Sequence, residues 1–160
     1  MARRKRRHGK PDQFQWLAVN ASPASETDAQ KALHGFIKRF VVKAKLERAE
    51  LFLLDPVKRD RGMQEVWGWL DRSKTSDLGG SAGFPQHLAA RFGDLRGTYI
   101  DGTKCALVTI AEAAVLAATA GDRSLFVSTD QGTAILFEDV GCPTLCIDPS
   151  SKMRTTGKSG

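Results

Sequence analysis

The sequence predicts an α/β fold in which a short, mostly parallel sheet is flanked by helices, with a long basic helix near the N-terminus. The strongest indication lies in residues 109–148, where helical and apolar segments alternate twice. Two apolar runs of strand length follow turn residues and end at Asp130 and Asp148. Between them, residues 131–140 are predicted to form a helix closed by Gly141. Alternation of this kind is typical of parallel sheets.

The long basic helix is predicted to begin near residue 25. Ser25, with Asp28 three positions later, is a capping-type start. Apolar residues then recur at steps of three and four, which is helical spacing; they are Leu33, Phe36, Ile37, Phe40, Val41 and Ala44. Another face carries a basic stripe made of Lys31, Lys38 and Lys45, joined by Arg39 and Arg48. Such a stripe is typical of a helix that faces nucleic acid, and equally of a solvated helix surface.

One of the remaining segments is ambiguous. Residues 50–55 either continue the basic helix or form a buried strand that ends at Asp55. The other segments follow from periodicity and turn residues. They are a strand or short packed segment at 14–19, a helix at 64–72 with Trp67 and Leu70 inward, a loop at 73–83, a short helix at 84–92 and a strand at 98–100.

Positive charge is concentrated at the two ends of the chain. The net charge is +6, but the first ten residues hold six basic side chains and no acid, and the last ten hold three more. Residues 11–150 carry 15 lysines and arginines against 18 aspartates and glutamates. We therefore predict a disordered basic arm over residues 1–13, a single α/β domain over residues 14–148 and a flexible tail over residues 149–160.

Within the domain, charge is divided between a basic part and an acidic part. Residues 31–61 hold nine basic and four acidic side chains, whereas residues 94–148 hold three basic and eight acidic ones. A basic surface beside carboxylates suits the cutting of a polyanion with bound metal ions. The same division is compatible with a solvated helix beside ordinary strand-end acids.

Composition argues against several classes of protein. No apolar run approaches the roughly 20 residues that a membrane-spanning helix needs, so no membrane partner is expected. The charged N-terminus lacks the apolar segment of a signal peptide. Cys105, Cys142 and Cys146 lack zinc-site spacing and are expected to be reduced, buried thiols, which predicts a cytoplasmic protein.

Three carboxylates are the candidate catalytic and metal-binding residues: Asp55, Glu112 and Asp130. Each is expected at the end of a strand or in the first turn of a helix. Acids that converge on one edge can hold Mg²⁺ or Mn²⁺ and activate a water for attack on a phosphodiester. Two of them also have a local interpretation. Thr109-x-x-Glu112 is a capping box, and Asp130 would cap the helix predicted after it.

The second half of the chain resembles the C-terminal half of PIN-domain ribonucleases. The resemblance rests on Glu112 at the start of an alanine-rich helix, LFVSTD ending eighteen residues on, a helix ending at Val140 and Gly141, and the strand PTLCID. In that family the helix-start Glu and the strand-end Asp bind metal, so the resemblance implies these roles for Glu112 and Asp130. It also implies that Asp55, in LFLLDPV, is the acid that ends the family's first strand.

A second segment, residues 36–61, is similar to the N-terminal helix of small uncharacterised bacterial proteins. In that arrangement Asp55 ends a helix. Residues 125–138 then form a hairpin, in which LFVST and TAILFE are joined through Asp130, Gln131 and Gly132. This is a three-residue version of the usual hairpin signal.

The function predicted first is metal-dependent cleavage of RNA by a nuclease of PIN-like type. Asp55, Glu112 and Asp130 would bind Mg²⁺ or Mn²⁺. A set of basic residues would hold phosphates; these are Arg3, Arg4, Lys5, Arg6, Arg7, Lys38, Arg39 and Lys45. The alternative is a non-enzymatic, basic-armed α/β domain that binds nucleic acid or a protein partner.

Overall fold

In the part of the chain that the structure describes, seven strands form one sheet in which every pair of neighbouring strands is antiparallel. The computed structural model describes residues 22–79, 85–102, 104–120, 123–138 and 143–147. The order across the sheet is β1-β4-β3-β5-β6-β7-β2, so the two shortest strands lie at its edges. In chain order the strands are β1 (Ser22–Pro23), β2 (Thr75–Asp77), β3 (Arg96–Asp101), β4 (Lys104–Thr109), β5 (Ser124–Ser128), β6 (Thr133–Phe137) and β7 (Thr144–Ile147).

Helices cover both faces of this sheet. In the described chain they are α1 (Glu26–Phe40), α2 (Leu46–Leu53), α3 (Arg59–Glu65), α4 (Pro85–Phe92) and α5 (Ile110–Ala120). Residues of α1–α3 share one apolar core with Ile100 and Leu125 of the sheet. Residues of α4 and α5 share a second core with Tyr99 and Phe126. Because successive strand residues point to opposite faces, one sheet supplies both cores, and the fold is a three-layer α/β/α sandwich.

The prediction of a mostly parallel sheet is wrong, because residues 133–137 form strand β6 and not a helix. β6 pairs with β5 as the hairpin of the alternative interpretation. Ala134 and Leu136 enter one core, and Ile135 and Phe137 enter the other. A strand buried on both faces shows no polar alternation, so its pattern resembles that of a short buried helix. The predicted end of that helix, at residues 140–141, lies outside the described residues.

The helix predicted after Thr109 is confirmed as α5, and it connects two strands that run in the same direction. β4 and β5 are each antiparallel to β3, which lies between them. α5 therefore crosses over β3, as helices do between parallel strands. The C-terminal ends of β4 and β5 consequently lie on the same side of the sheet, and the residues that follow them start from there.

Helix α1 begins where the sequence predicts and ends earlier. Ser25 Oγ accepts from the Asp28 N–H at 3.1 Å, and Asp28 Oδ2 accepts from the Ser25 N–H at 2.9 Å, which is the predicted capping box. The helix stops at Phe40, because Val41 is extended and pairs with Leu70. The predicted long basic helix is therefore broken after 15 residues.

The ambiguous segment at residues 50–55 contains the end of helix α2, not a strand. Helix α3 follows, and a 3₁₀ turn continues from it over Val66–Trp69. Because a 3₁₀ helix has three residues per turn, Val66 and Trp69 lie on one buried face. Trp67 is half-buried and packs against the first core, so its predicted inward position is confirmed in part, and Leu70 is buried as predicted.

The later predictions have mixed outcomes. The short helix is confirmed as α4, and the strand at residues 98–100 is confirmed as the centre of β3. The predicted loop at residues 73–83 contains the edge strand β2. The basic arm at residues 1–13, the first strand at 14–19 and the tail at 149–160 lie outside the described residues.

The cysteines differ in burial. Cys146 is fully buried in the sheet, and burial raises the pKa of its thiol to about 12, so it behaves as a small apolar residue. Cys105 is half-buried, and its Sγ donates to the Ala24 carbonyl at 3.3 Å. Cys142 lies outside the described residues. In the part of the chain that the structure describes, no helix combines the length and apolar character needed to cross a membrane.

Candidate nucleic-acid interface

A buried arginine fixes the helical layer that carries the basic residues. Arg59 of α3 is fully buried, and its guanidinium donates to both carboxylate oxygens of Glu26, at 2.7 and 3.1 Å. Its Nε donates to the Leu53 carbonyl at 2.7 Å. The hydrogen bonds from Arg59 lower the pKa of Glu26 below its usual value. The start of α1, the end of α2 and the start of α3 are thereby held together.

The exposed face of α1 carries Lys31, His34 and Lys38. These positions are three and four residues apart, so the side chains follow one another along the helix. All three side chains are exposed, and no carboxylate of the described chain lies within ion-pair distance of either lysine. The opposite face of α1 packs in the core. The two lysines therefore face solvent, and the charge of Lys31 also acts on Asp28, whose pKa is lowered by its hydrogen bonds with Ser25 and by this charge.

A groove with a volume of about 590 Å³ runs beside this face of α1. Its volume is in the range of clefts that hold small ligands. Glu50 of α2 is the one acidic residue of its described lining. The other lining residues are Thr27, Gln30, Lys31, His34, Gly35, Lys38 and Gln131. A second groove of about 170 Å³ shares Lys31 and Gln131 with the first, so the two grooves adjoin.

The tip of the β5–β6 hairpin forms one border of the groove. Gln131 has a φ of 65°, a left-handed conformation that is uncommon for residues other than glycine. Its side-chain amide lies against α1 at Gly35 and donates to the Lys31 carbonyl at 3.1 Å. A Cβ at position 35 would lie 2.2 Å from Gln131 Cδ, so only glycine leaves room for this contact. The hairpin is therefore anchored on the basic helix.

Asp130, a predicted metal ligand, belongs to the same hairpin turn. Its Oδ1 accepts from the Ser128 hydroxyl at 2.6 Å and from the Gly132 N–H at 3.0 Å. Ser128 Oγ in turn accepts from the Thr133 N–H at 3.1 Å. The prediction that Asp130 caps a following helix is wrong, because strand β6 follows it. The carboxylate shapes the turn that joins β5 to β6.

Glu112 lies in the first turn of α5, as predicted, and completes the predicted capping box. Its Oε1 accepts from the Thr109 N–H at 2.8 Å, and its own N–H donates to Thr109 Oγ1 at 3.2 Å. These reciprocal bonds satisfy two backbone donors at the start of the helix. The local interpretation of Glu112 is therefore confirmed.

Asp55 follows helix α2 and not the strand that the PIN-domain resemblance implies. Its Oδ1 accepts from the Val57 N–H at 2.9 Å, and its carbonyl accepts from the Lys58 N–H at 3.0 Å. Pro56 follows directly and cannot extend the preceding helix. Asp55 therefore forms a turn between α2 and α3.

The three predicted ligands do not assemble into one site. Glu112 and Asp130 follow β4 and β5, whose C-terminal ends lie on the same side of the sheet. Asp55 precedes α3, which begins near the opposite ends of these strands. Gly102 follows β3 at that side, and the Asp60 Oδ1 atom of α3 lies 4.0 Å from the position that a Cβ of residue 102 would take. Among the described residues, no group of three or more His, Cys, Asp or Glu is placed to hold a metal ion. These three carboxylates do not fit a shared Mg²⁺ or Mn²⁺ site.

The predicted phosphate-binding residues are distributed over several elements. Lys38 is exposed on α1, and Arg39 beside it is half-buried. Lys45 is exposed in a 3₁₀ turn over Lys43–Lys45, beyond the end of α1. It therefore does not extend the stripe of Lys31 and Lys38 on one helix. The five basic residues at positions 3–7 lie outside the described residues.

Two features of this surface are absent from the sequence prediction. His34 lies between the two lysines, and its three-residue spacing from Lys31 in the sequence is sufficient to predict that both lie on the same helix face. Three arginines, Arg48, Arg61 and Arg72, lie over aromatic rings. These contacts depend on which aromatic residues remain exposed, and the pattern of the sequence does not reveal that.

Comparison with known proteins adds no family to these observations. No protein-family model matches the chain, and neither a curated protein nor a solved structure is significantly similar to it.

Proposed function

We propose that this chain is a nucleic-acid-binding domain that holds phosphate groups of RNA along the exposed face of α1. The observation that carries the proposal is the pair of lysines, Lys31 and Lys38, which are exposed beside a groove and have no carboxylate of the described chain within ion-pair distance. His34 lies between them and supplies a ring N–H.

Physical chemistry supports phosphate as the ligand of this face. A lysine ammonium binds phosphate as a point charge, and each neutralised phosphate releases counterions from the nucleic acid. Elsewhere on the helical layer, three of the arginines already have carboxylate partners: Arg59 pairs with Glu26, and Arg48 and Arg61 pair with Glu65. The two lysines are thus better placed to accept an external anion.

Cleavage is not part of this proposal, because the three predicted ligands make local hydrogen bonds and lie in separate elements. Metal-dependent RNA cleavage stays a prediction from the sequence. The supporting geometry is limited to Glu112 and Asp130, which follow strands that run in the same direction.

Binding of a fluorescently labelled RNA, followed by anisotropy at about 50 and about 200 mM salt, tests the proposal. The double variant Lys31→Gln/Lys38→Gln should bind more weakly, and its plot of log affinity against log salt should be shallower by about 1.4, because about 0.7 is lost per phosphate contact to a single strand. Lys58→Gln is the matched control, since Lys58 is exposed and does not line the groove. Its salt dependence should equal that of the wild type.

Deletion of residues 1–10 in the same assay separates the arm from the helix. If both contribute, the deletion and the double variant should lower the salt dependence additively. An unchanged salt dependence in the double variant contradicts the proposal for α1, even if the arm binds RNA. Addition of Mn²⁺ to the wild-type samples, with the RNA length checked on a gel, tests the cleavage prediction separately.

A further inference from the structure

A second surface, on α2, α3 and the turn after them, carries arginine side chains laid over aromatic rings. The Arg48 guanidinium carbon lies 4.9 Å from the centre of the Phe52 ring, and that of Arg61 lies 6.0 Å from it. Phe52 itself is half-buried and contacts Trp69, with 6.4 Å between ring centres. The ring is therefore fixed from below by the core, while the guanidinium groups lie on its solvent side.

The closest of these contacts joins Arg72 and Trp67. The Arg72 guanidinium carbon lies 4.1 Å from the centre of the Trp67 ring. Trp67 is held half-exposed because the 3₁₀ turn directs Val66 and Trp69 into the core. Arg72 is exposed and has no carboxylate partner in the described chain. We call the Arg48, Phe52, Arg61, Trp67 and Arg72 side chains together the arginine–aromatic surface.

Backbone hydrogen bonds connect this surface to the end of α1. The Val42 N–H donates to the Trp69 carbonyl at 2.8 Å, and the Asp71 N–H donates to the Phe40 carbonyl at 2.7 Å. The segment that leaves α1 thus lies directly beside the turn that presents Trp67. A nucleic-acid strand that lies along α1 and extends past its C-terminal end would therefore reach the arginine–aromatic surface.

The arginines of this surface are better suited to bind nucleic-acid bases than to bind further carboxylates. Arg48 and Arg61 pair with Glu65, at 3.2 and 3.6 Å, so the N–H edges of both already meet a carboxylate. Their side chains nevertheless remain 48% and 73% exposed. A planar guanidinium whose edge is occupied still offers its face, and nucleic-acid bases stack on such planes.

We infer that the arginine–aromatic surface is a stacking platform for the bases of single-stranded nucleic acid. The inference rests on the proposed function and specifies its substrate class, because a duplex does not expose the faces of its bases. The lysines of α1 hold phosphates, and Trp67 with Arg72 holds unpaired bases. Stacking of this kind tolerates any base sequence.

The test compares two labelled strands of about 12 nucleotides with equal charge, oligothymidylate and an abasic strand, by anisotropy at low salt. Wild-type protein should bind the strand with bases more tightly by at least about fivefold, the lower end for one stacked base. Trp67→Leu and Arg72→Lys should each reduce this preference. Arg72→Lys keeps the charge and loses the planar face, so it decides the question if Trp67→Leu fails to fold.

Arg91→Lys is the matched control, since Arg91 lies 5.1 Å from the Phe92 ring on α4, which covers the other face of the sheet. This variant should keep the preference, as should Lys31→Gln/Lys38→Gln, which should bind both strands more weakly. Equal binding of the two strands by the wild type, or an undiminished preference in Arg72→Lys, overturns the inference and leaves the proposed function standing. If neither strand binds in a salt-sensitive way, both the proposed function and the inference are wrong. If an acidic peptide binds more tightly than either strand, the inference is wrong.

Discussion

The contact between Gly35 and Gln131 gives a prediction whose sign depends on the tertiary structure. Gly35 lies inside α1, where alanine is usually favoured over glycine by about 0.8–1 kcal/mol. A Cβ at this position would lie 2.2 Å from Gln131 Cδ and Oε1, which is too close for any real contact. In Gly35→Ala the glutamine amide must therefore leave α1.

The departure of Gln131 has a calculable cost. Its hydrogen bond to the Lys31 carbonyl, 3.1 Å long, is lost, which costs about 1 kcal/mol. This loss offsets the gain in helix propensity, so Gly35→Ala should change the free energy of unfolding by less than about 0.5 kcal/mol. In a Gln131→Gly background no side chain lies against Gly35, and the hydrogen bond to the Lys31 carbonyl is already absent. There the same substitution should stabilise the protein by about 1 kcal/mol.

A double-mutant cycle measured by urea unfolding tests this reasoning. The coupling between Gly35→Ala and Gln131→Gly should be about 1 kcal/mol in favour of the double variant. Gly62→Ala is the control, because its Cβ would meet Leu53 and Phe52 and not the hairpin. It should be destabilising by the same amount in both backgrounds. Additivity of Gly35→Ala and Gln131→Gly within about 0.3 kcal/mol would refute the anchoring of the hairpin on α1.

Two further predictions concern carboxylates with defined hydrogen bonds. Glu112→Gln should melt at the wild-type temperature, because glutamine also completes the capping box with Thr109. Glu112→Ala should lower the free energy of unfolding by about 0.5–1.5 kcal/mol. A rise in Tm with Mn²⁺ that is seen in the wild type and not in Glu112→Gln would instead support a metal ligand. Hydrogen bonds from Arg59 lower the pKa of Glu26, so this carboxylate contributes stability above its unfolded pKa of about 4.3, and that contribution is lost as pH falls through the lower folded value. Glu26→Gln should therefore be less stable than the wild type at neutral pH, with a difference that shrinks below about pH 4. A constant difference across pH, in urea unfolding, would contradict this assignment.

The features that the sequence predicts correctly depend on neighbours in the chain. The capping boxes at Ser25 and Thr109 involve residues three apart, and the structure has both. Helices α1, α4 and α5 begin where their caps or turn residues predict. Helical periodicity also identifies the buried face of α1. Local hydrogen bonds and spacing are properties of a short segment, so they can be read from it.

The direction of the strands could not be predicted in the same way. Residues 134–137 of strand β6 are all apolar, because helices cover both faces of the sheet. This removes the alternation that distinguishes a strand from a helix. The decision for a strand comes from pairing with β5 and β7, which lie on either side of it. Once this segment is a strand, β5 and β6 must be antiparallel, and Asp130 becomes part of a hairpin turn.

The surfaces proposed for binding show the same division. The concentration of basic residues between residues 31 and 61 is visible in the sequence, and the seven-residue spacing of Lys31 and Lys38 predicts that they share a helix face. Which of these charges remain available for a ligand depends on how the helices pack. Arg59 is buried against Glu26, and Arg48 and Arg61 share Glu65, whereas neither lysine of α1 has a carboxylate of the described chain within ion-pair distance. The reason is physical: charge is a property of each residue, whereas burial and pairing depend on elements that meet only when the chain folds.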